Sequence, residues 1–267
     1  MFWSVALGTG AVCAALQAVL WLLFSRWLPD GVWRREPGFL SHQIIGLPLM
    51  VIITAIGAAA WFFPSDEATQ LSATPEGRVL GYYPTSDLLA SIILGELLLW
   101  DIPMTFVPSL YSTTTLAHHV GMAFVAVITE MPYLQHYVPF FGGLIELSSI
   151  PLQIVDVLHP KHFVEWTSVP WVNRLNSGCR TSFAVLFILT RTFYFPYVVL
   201  AQVLPDLGHL ASTNSDQLVW ATIAGVFACS FTALQLYWSS LIAKQIFKGT
   251  RKSSVADDAP PYVEVKG

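Results

Sequence analysis

Ionisable side chains inside otherwise apolar stretches are the residues of this chain that can do chemistry. They are Glu96, Asp101, His118, His119, Glu146, Asp156 and Arg191. A charge near the centre of a bilayer costs at least ~2.5–3.5 kcal/mol on insertion scales, so such groups usually face a protein interior or a wet cavity. We therefore predict a bundle of membrane helices with a polar interior.

The adjacent pair His118-His119 is the most distinctive of these features. Consecutive helical positions point about 100° apart, so the two rings should not both face lipid. One imidazole can act as proton acceptor or nucleophile while the other orients a substrate, with Asp101 fixing a tautomer. The alternative is that each ring is an ordinary interfacial histidine at a helix end.

A second set, Glu96, Glu146 and Arg191, is expected at mid-depth in the membrane. A guanidinium keeps its proton in proteins, so Arg191 needs a carboxylate partner, either Glu146 or Glu96. The set can therefore be a structural ion pair or a binding site for a lipid headgroup. Tyr194 follows Arg191 by three residues on the same helix face, where it can hydrogen-bond a headgroup or pack in the core.

Composition agrees with a membrane protein and argues against several other classes. Apolar residues make up 54% of the chain and charged residues 11%, against roughly 25% charged in a soluble domain. The mean hydropathy is +0.58. The net charge of −4 gives no reason to expect a nucleic-acid partner. The three cysteines lack C-x-x-C or Cys/His spacing, so we expect no bound metal.

Seven apolar stretches approach the ~20 residues that a helix needs to cross a bilayer. The predicted spans are residues 2–24, 44–63, 88–110, 116–129, 140–158, 182–204 and 218–247. The fourth is short, so six is the rival count. The fold class is an all-α polytopic membrane protein.

The distribution of basic residues decides between these counts, because positively charged loops belong in the cytoplasm. Seven spans with the N-terminus outside place every basic cluster on one side. That orientation puts His42, Asp101, the histidine pair and Asp156 toward the cytoplasm. The basic clusters are Arg26, Arg34 and Arg35; Lys161, Arg174 and Arg180; and Lys244, Lys248, Arg251 and Lys252.

The chain divides into three predicted parts. Residues 1–40 hold an N-terminal transmembrane helix and a cytoplasmic loop, and residues 41–250 form a membrane domain of six helices. Residues 251–267, with Pro260-Pro261 and mixed charges, are predicted to be a solvated tail.

An ordered set of motifs between His42 and Phe247 resembles the TLC-domain membrane proteins. That family includes ceramide synthases, translocating-chain-associating proteins and smaller TLC-domain regulators of membrane lipids. The motifs are Ser41-His42, Asp87, His118-His119, Glu146-Leu147-Ser148-Ser149-Ile150-Pro151, Arg191 with Tyr194, and Tyr237-Trp238 near the end of the last span.

The resemblance implies a barrel of six helices around a lipid-sized cavity, preceded by one extra helix. In ceramide synthases the matching histidines serve acyl transfer from acyl-CoA to a sphingoid amine. The chain departs from that subgroup downstream, since the His-Asp-x-x-Asp run is absent and no histidine follows Glu146 until His159.

Three functions therefore stay open. The first is an N-acyltransferase with His118, His119 and Asp101 as catalytic residues, acyl-CoA as co-substrate and no tightly bound cofactor. The second is a non-catalytic lipid-sensing protein, and the third a structural subunit of a larger membrane-protein complex. In each, membrane lipids are the expected partners and the endoplasmic reticulum or another endomembrane the expected location. The predicted substrate-binding residues are His42, Glu96, Glu146, Asp156, Arg191 and Tyr194.

Overall fold

A computed structural model describes residues 2–159 and 169–257, which are helical and contain no β-strand. The prediction of an all-α fold is confirmed. The α-helices are α1 (Phe2–Trp27), α2 (Val32–Arg35), α3 (Pro37–Phe62), α4 (Asp66–Leu71), α5 (Pro75–Leu80), α6 (Pro84–Glu96), α7 (Ile102–Met104), α8 (Thr113–Glu130), α9 (Ser149–Val157), α10 (Pro170–Phe187), α11 (Phe195–Val198), α12 (Leu204–Thr213) and α13 (Leu218–Asp257). Tighter 3₁₀ turns occupy Gln135–Tyr137, Leu144–Ser148 and Ser215–Gln217, and wider π turns occupy Leu97–Asp101, Pro139–Gly143, Ile188–Tyr194 and Val199–Val203.

Within the described ranges, five continuous helical segments are long and apolar enough to cross a bilayer. They are Phe2–Trp27, Pro37–Phe62, Pro139–Val157, Pro170–Thr213 and Ser215–Ile246. The chain is therefore an integral membrane protein. The third and fourth predicted spans are not among the five. The helical segment that contains most of the third, residues 84–104, carries three acidic residues, and α8, which contains the fourth, begins with three threonines followed by the histidine pair.

Helix ends differ most from the prediction on the side with the basic clusters. The helix α10 starts at Pro170, well before the predicted residue 182, so Arg174 and Arg180 are helical. A helix satisfies its own backbone hydrogen bonds, so it can continue as a helix beyond the surface of the bilayer. Hydropathy therefore marks the apolar stretch and not the end of the helix. The helix α13 likewise continues to Asp257. Lys161 and residues 258–267 of the predicted tail lie outside the described residues.

Prolines explain where three of the helices depart from α geometry. The ring of a proline clashes with the carbonyl four residues earlier and offers it no N–H, so that stretch must tighten or widen. The π turn Leu97–Asp101 precedes Pro103, the 3₁₀ turn Leu144–Ser148 precedes Pro151, and the π turn Ile188–Tyr194 precedes Pro196. Each turn contains one of the ionisable residues singled out from the sequence, namely Asp101, Glu146 or Arg191.

Glycines permit the closest helix contacts. A Cβ added at Gly57 in α3 would lie 2.5 Å from the Cα of Gly143, so neither position accepts a side chain. Gly10 in α1 meets the backbone of Gly95 in α6 in the same way. Small residues allow such approaches in membranes, where packing drives helix association. These contacts hold α1 and the turn Pro139–Gly143 against the helices that carry the polar residues.

An ion pair at the end of the bundle remote from the histidine pair joins α5 to α12. Arg78 donates to Asp206 through Nε at 2.6 Å and through a terminal nitrogen at 2.5 Å, and it also donates to the carbonyl of Ser72 at 2.8 Å. The Tyr137 hydroxyl donates to the same carboxylate. Asp206 is 3% exposed, so this network ties the loop helices to the membrane helices.

Removing one partner of that network should destabilise the protein more than removing both. Arg78→Met leaves the Asp206 carboxylate buried without its cation, which should lower the free energy of unfolding by about 3 kcal/mol. The double variant Arg78→Met/Asp206→Leu should recover part of that loss. Thermal unfolding of the two single variants and the double variant in one detergent measures the coupling. Additive effects would contradict the prediction.

His136 lies beside this network, among aromatic rings and outside the membrane-spanning segments. Its ring is 5.0 Å from Tyr137, 5.6 Å from Tyr83 and 5.7 Å from Trp61, between ring centroids. Burial lowers the pKa of His136 from 6.5 to about 4, and the Arg78 charge acts in the same direction while Asp206 opposes it. The ring is therefore neutral in the folded protein at pH 7.

We expect His136 to make the protein acid-sensitive. The unfolded chain takes up this proton near pH 6.5 and the folded protein only near pH 4, so stability falls as the pH drops through that window. His136→Phe keeps an aromatic ring and removes the proton-binding group. The melting temperature of the variant should fall less than that of the wild type between these two pH values. Parallel losses in both proteins would rule out His136 as the cause.

Candidate functional site

The carboxylate of Asp101 lies between two imidazoles that come from different helices. His42 Nε2, on α3, is 2.7 Å from Asp101 Oδ1, and His119 Nδ1, on α8, is 2.9 Å from Asp101 Oδ2. The His42 contact is an aligned hydrogen bond, whereas the His119 contact has ion-pair distance without hydrogen-bond alignment. Asp101 is 9% exposed, so this carboxylate links three helices inside the protein.

Two residues that were not singled out from the sequence, Trp100 and Gln17, hold the His42 ring in position. The Trp100 ring stacks on His42 at 4.6 Å with an interplanar angle of 22°. The indole N–H donates to Gln17 Oε1 at 3.0 Å, and Gln17 Nε2 donates to Ser41 Oγ at 2.6 Å. The helix α1 therefore positions the imidazole through Gln17 and Trp100. The sequence offered one sign of this contact, because Gln17 is a polar residue in the middle of the apolar stretch 2–24.

His118 points away from Asp101. Its ring meets Phe231 and Trp238 of α13 edge-on, at centroid distances of 5.5 and 5.3 Å. Its Nδ1 is buried and has no hydrogen-bond partner among the described residues. The two adjacent histidines thus separate, with one ring at the carboxylate and the other toward the centre of the bundle.

Arg191 is held by a polar set on the neighbouring helix. Its terminal nitrogen is 3.1 Å from Glu146 Oε1 and 3.2 Å from Ser149 Oγ, and its Nε donates to Ser148 Oγ at 2.9 Å. The hydroxyl of Ser149 also donates to Glu146 Oε2 at 2.5 Å. Of the two carboxylates left open as partners, Glu146 is the one in contact.

Glu96 is the third carboxyl group of the interior. It is 6% exposed and lies within electrostatic range of both Asp101 and Glu146. Its Oε2 has no hydrogen-bond partner among residues 2–159 and 169–257. Glu96 therefore lies close to both polar clusters and, like His118, has a buried polar atom without a hydrogen-bond partner among the described residues.

Tyr194 and Asp156 are not brought into these clusters by direct contact. The Tyr194 hydroxyl accepts a hydrogen bond from Trp61 Nε1 at 2.8 Å, and its ring packs 4.9 Å from Phe140. A π turn holds more residues per turn than an α-helix, so Tyr194 no longer shares the face of Arg191. Asp156 lies within electrostatic range of Arg180 and His42.

A narrow apolar channel extends into the bundle from His118. The cavity has a volume of about 100 Å³. The lining extends along α8 from His118 to Thr129, which is about 16 Å at ~1.5 Å per residue. That is roughly half of the ~30 Å hydrocarbon core. The length and the apolar lining are compatible with an alkyl chain, and Tyr133 and Tyr137 line the far part.

The comparisons with known proteins agree with this architecture. The family model for the TLC domain matches residues 40–244, which is most of the chain. The chain therefore belongs to the TLC-domain family, as its motifs predicted. Comparison with curated proteins and with solved structures gives no significant match. The matched range includes both polar clusters and the channel, while α1 precedes it.

We predict that the Glu146–Arg191 pair is essential for stability. Glu146→Gln leaves a guanidinium that is 5% exposed without a counter-charge, which should lower the free energy of unfolding by about 3 kcal/mol or more. Asp30→Asn is the matched control, because it removes the carboxylate from the solvent-exposed pair with Arg34. Such pairs contribute little. Thermal unfolding should therefore separate the two variants, and equal melting temperatures would contradict the prediction.

Proposed function

We propose that this protein handles membrane lipids by taking an acyl chain into the apolar channel, with the lipid's polar part at His118. The observation that carries the proposal is the channel itself. Its lining is apolar apart from a few groups, and His118 and Gln235 lie together at one end. Apolar pockets with a few polar groups at one end are typical of lipid sites. Membership of the TLC-domain family supports the same function.

We further propose seven membrane spans, six of them arranged as a barrel around the channel. The segment α6–α7 and the helix α8 would be the third and fourth spans. Pairwise packing supports this arrangement. The helix α3 packs on α6, α6 on α8, α8 on α13, and α13 on the π turns Ile188–Tyr194 and Val199–Val203 of the sixth span. The turn Ile188–Tyr194 packs on Leu144–Ser148, and that segment packs on α3. The helix α1 packs outside this cycle, on α3 and α6.

The distribution of basic residues supports an orientation in the membrane. We propose that the end of the bundle holding His42, Asp101 and His119 faces the cytoplasm, because the basic clusters lie at that end. A cytoplasmic acyl-CoA could then reach the histidines. We place the protein in the endoplasmic reticulum or another endomembrane, where membrane lipids are made and remodelled.

A channel-filling substitution tests the lipid-binding proposal. Ala224 of α13 lines the channel, whereas Ala233 of the same helix is exposed toward lipid. Ala224→Phe should strongly reduce the acyl lipid that co-purifies with the protein, and Ala233→Phe should leave it unchanged. Mass spectrometry of the purified variants measures this, with melting temperatures as a check on folding. Equal lipid content in both variants, or none in the wild type, would overturn the proposal.

Acyl transfer is the second candidate, and the contact between Asp101 and two histidines favours it. A carboxylate that binds an imidazole fixes its tautomer and raises its basicity, which is the arrangement of a general base. In the reaction proposed, the amine of a sphingoid base attacks the thioester carbonyl of acyl-CoA. An imidazole takes the amine proton as the C–N bond forms. It returns that proton to the sulfur as the C–S bond breaks, so that CoA leaves as the thiol and the imidazole is neutral again.

The enzymatic proposal makes a separate prediction. Purified protein given acyl-CoA and sphinganine should form an amide, and His118→Ala and His119→Ala should each abolish its formation. His209→Ala is the control, because His209 pairs with Glu76 on the surface at the opposite end. Mass spectrometry of the products gives the readout. Absence of amide with every acyl chain length would eliminate acyl transfer and leave non-catalytic lipid binding in place.

A further inference from the structure

Gln235 is a fully buried polar side chain that the surrounding protein leaves unsatisfied. It is 0% exposed, and neither Oε1 nor Nε2 has a hydrogen-bond partner among the described residues. Its side chain lines the channel. A buried amide without partners is costly, so such groups in native structures require an explanation.

The position of Gln235 relates it directly to His118. Phe231, Gln235 and Trp238 are spaced four and three residues apart, so they share one face of α13. The rings of Phe231 and Trp238 both meet the His118 ring edge-on. Gln235 therefore lies between the two rings that hold His118, and His118 Nδ1 is itself unpartnered. Two unsatisfied polar groups thus share one end of the channel.

Two other buried glutamines, Gln135 and Gln17, have their side-chain amides satisfied, unlike Gln235. Gln135 accepts a hydrogen bond from the Tyr83 N–H at 2.7 Å and donates to the carbonyl of Thr129 at 2.7 Å. Gln17 bonds Ser41, Gly38 and Trp100. The polar neighbour Ser239 is already engaged, because its hydroxyl donates to the backbone carbonyl of Gln235 and contacts the Thr192 hydroxyl. The Gln235 amide is left facing the channel.

We infer that Gln235 binds the first polar group of the lipid in the channel, and that this group both donates and accepts hydrogen bonds. A side-chain amide offers N–H donors and a carbonyl acceptor, so its best complement is another amide or a hydroxyl. An ester or thioester only accepts and would leave Oε1 unsatisfied. The inference rests on the proposed lipid binding and adds a selectivity, for amide- or hydroxyl-linked chains over ester-linked ones.

Four probes of one chain length test this selectivity: a fatty amide, a fatty alcohol, a fatty acid methyl ester and the alkane. Binding is measured by displacement of a fluorescent acyl probe from the purified protein in detergent. The wild type should bind the amide or the alcohol about tenfold more tightly than the methyl ester. The affinity of the amide relative to that of the alcohol then identifies which of these two groups is preferred.

The variant Gln235→Met keeps the length of the side chain and removes its hydrogen-bonding groups. It should bind all three polar probes with nearly equal affinity, while alkane binding stays unchanged. Gln70→Met, at an exposed position of α4, is the control and should retain the wild-type preference. If Gln235→Met does not fold, Gln235→Asn withdraws the amide by one methylene group and should reduce the preference.

The outcomes separate this inference from the function on which it rests. If the wild type binds the probes but has no preference, or if the preference survives in the Gln235 variants, the role of Gln235 is overturned and lipid binding stands. If no probe binds to the wild type, lipid binding itself is overturned. A preference that is present in the wild type and lost only at Gln235 supports both.

Discussion

The structure depends on one constraint: a charged or polar group inside the hydrocarbon region must find its partner within the protein. The carboxylate of Asp101 meets two imidazoles, and Arg191 meets Glu146 with two serine hydroxyls. Each of these contacts crosses between helices. The polar residues therefore decide which helix faces turn inward, and the apolar side chains pack around that choice.

Prolines give these polar residues their positions. The turns before Pro103, Pro151 and Pro196 are wider or tighter than an α-helix, and they carry Asp101, Glu146 and Arg191. Departures from α geometry are frequent at functional sites, because they redirect single side chains. In this protein the same feature explains why Tyr194 contacts Trp61 and lies apart from the partners of Arg191.

The interior contains two kinds of polar group, and the difference indicates what each does. Arg191, Glu146 and Asp101 have partners, so they hold helices together whatever else they do. Other buried atoms have none among the described residues, including His118 Nδ1, the Gln235 amide, the Tyr133 hydroxyl and one oxygen of Glu96. Of these four residues, His118, Gln235 and Tyr133 line the channel. Unsatisfied groups beside an apolar channel are where a lipid's polar atoms would be bound.

Hydropathy and composition determined the all-α membrane class and the approximate positions of the helices, and an ordered set of motifs indicated the family, because each depends on residue patterns along the chain. A contact between Asp101 and one of the two adjacent histidines was predicted from residue type and depth, and the structure places His119 there. Only the tertiary structure decided that Glu146 binds Arg191, that α1 supports His42 through Gln17 and Trp100, and that Gln235 lacks a partner. These facts depend on which faces of distant helices meet, and a pattern read along one chain does not contain that information.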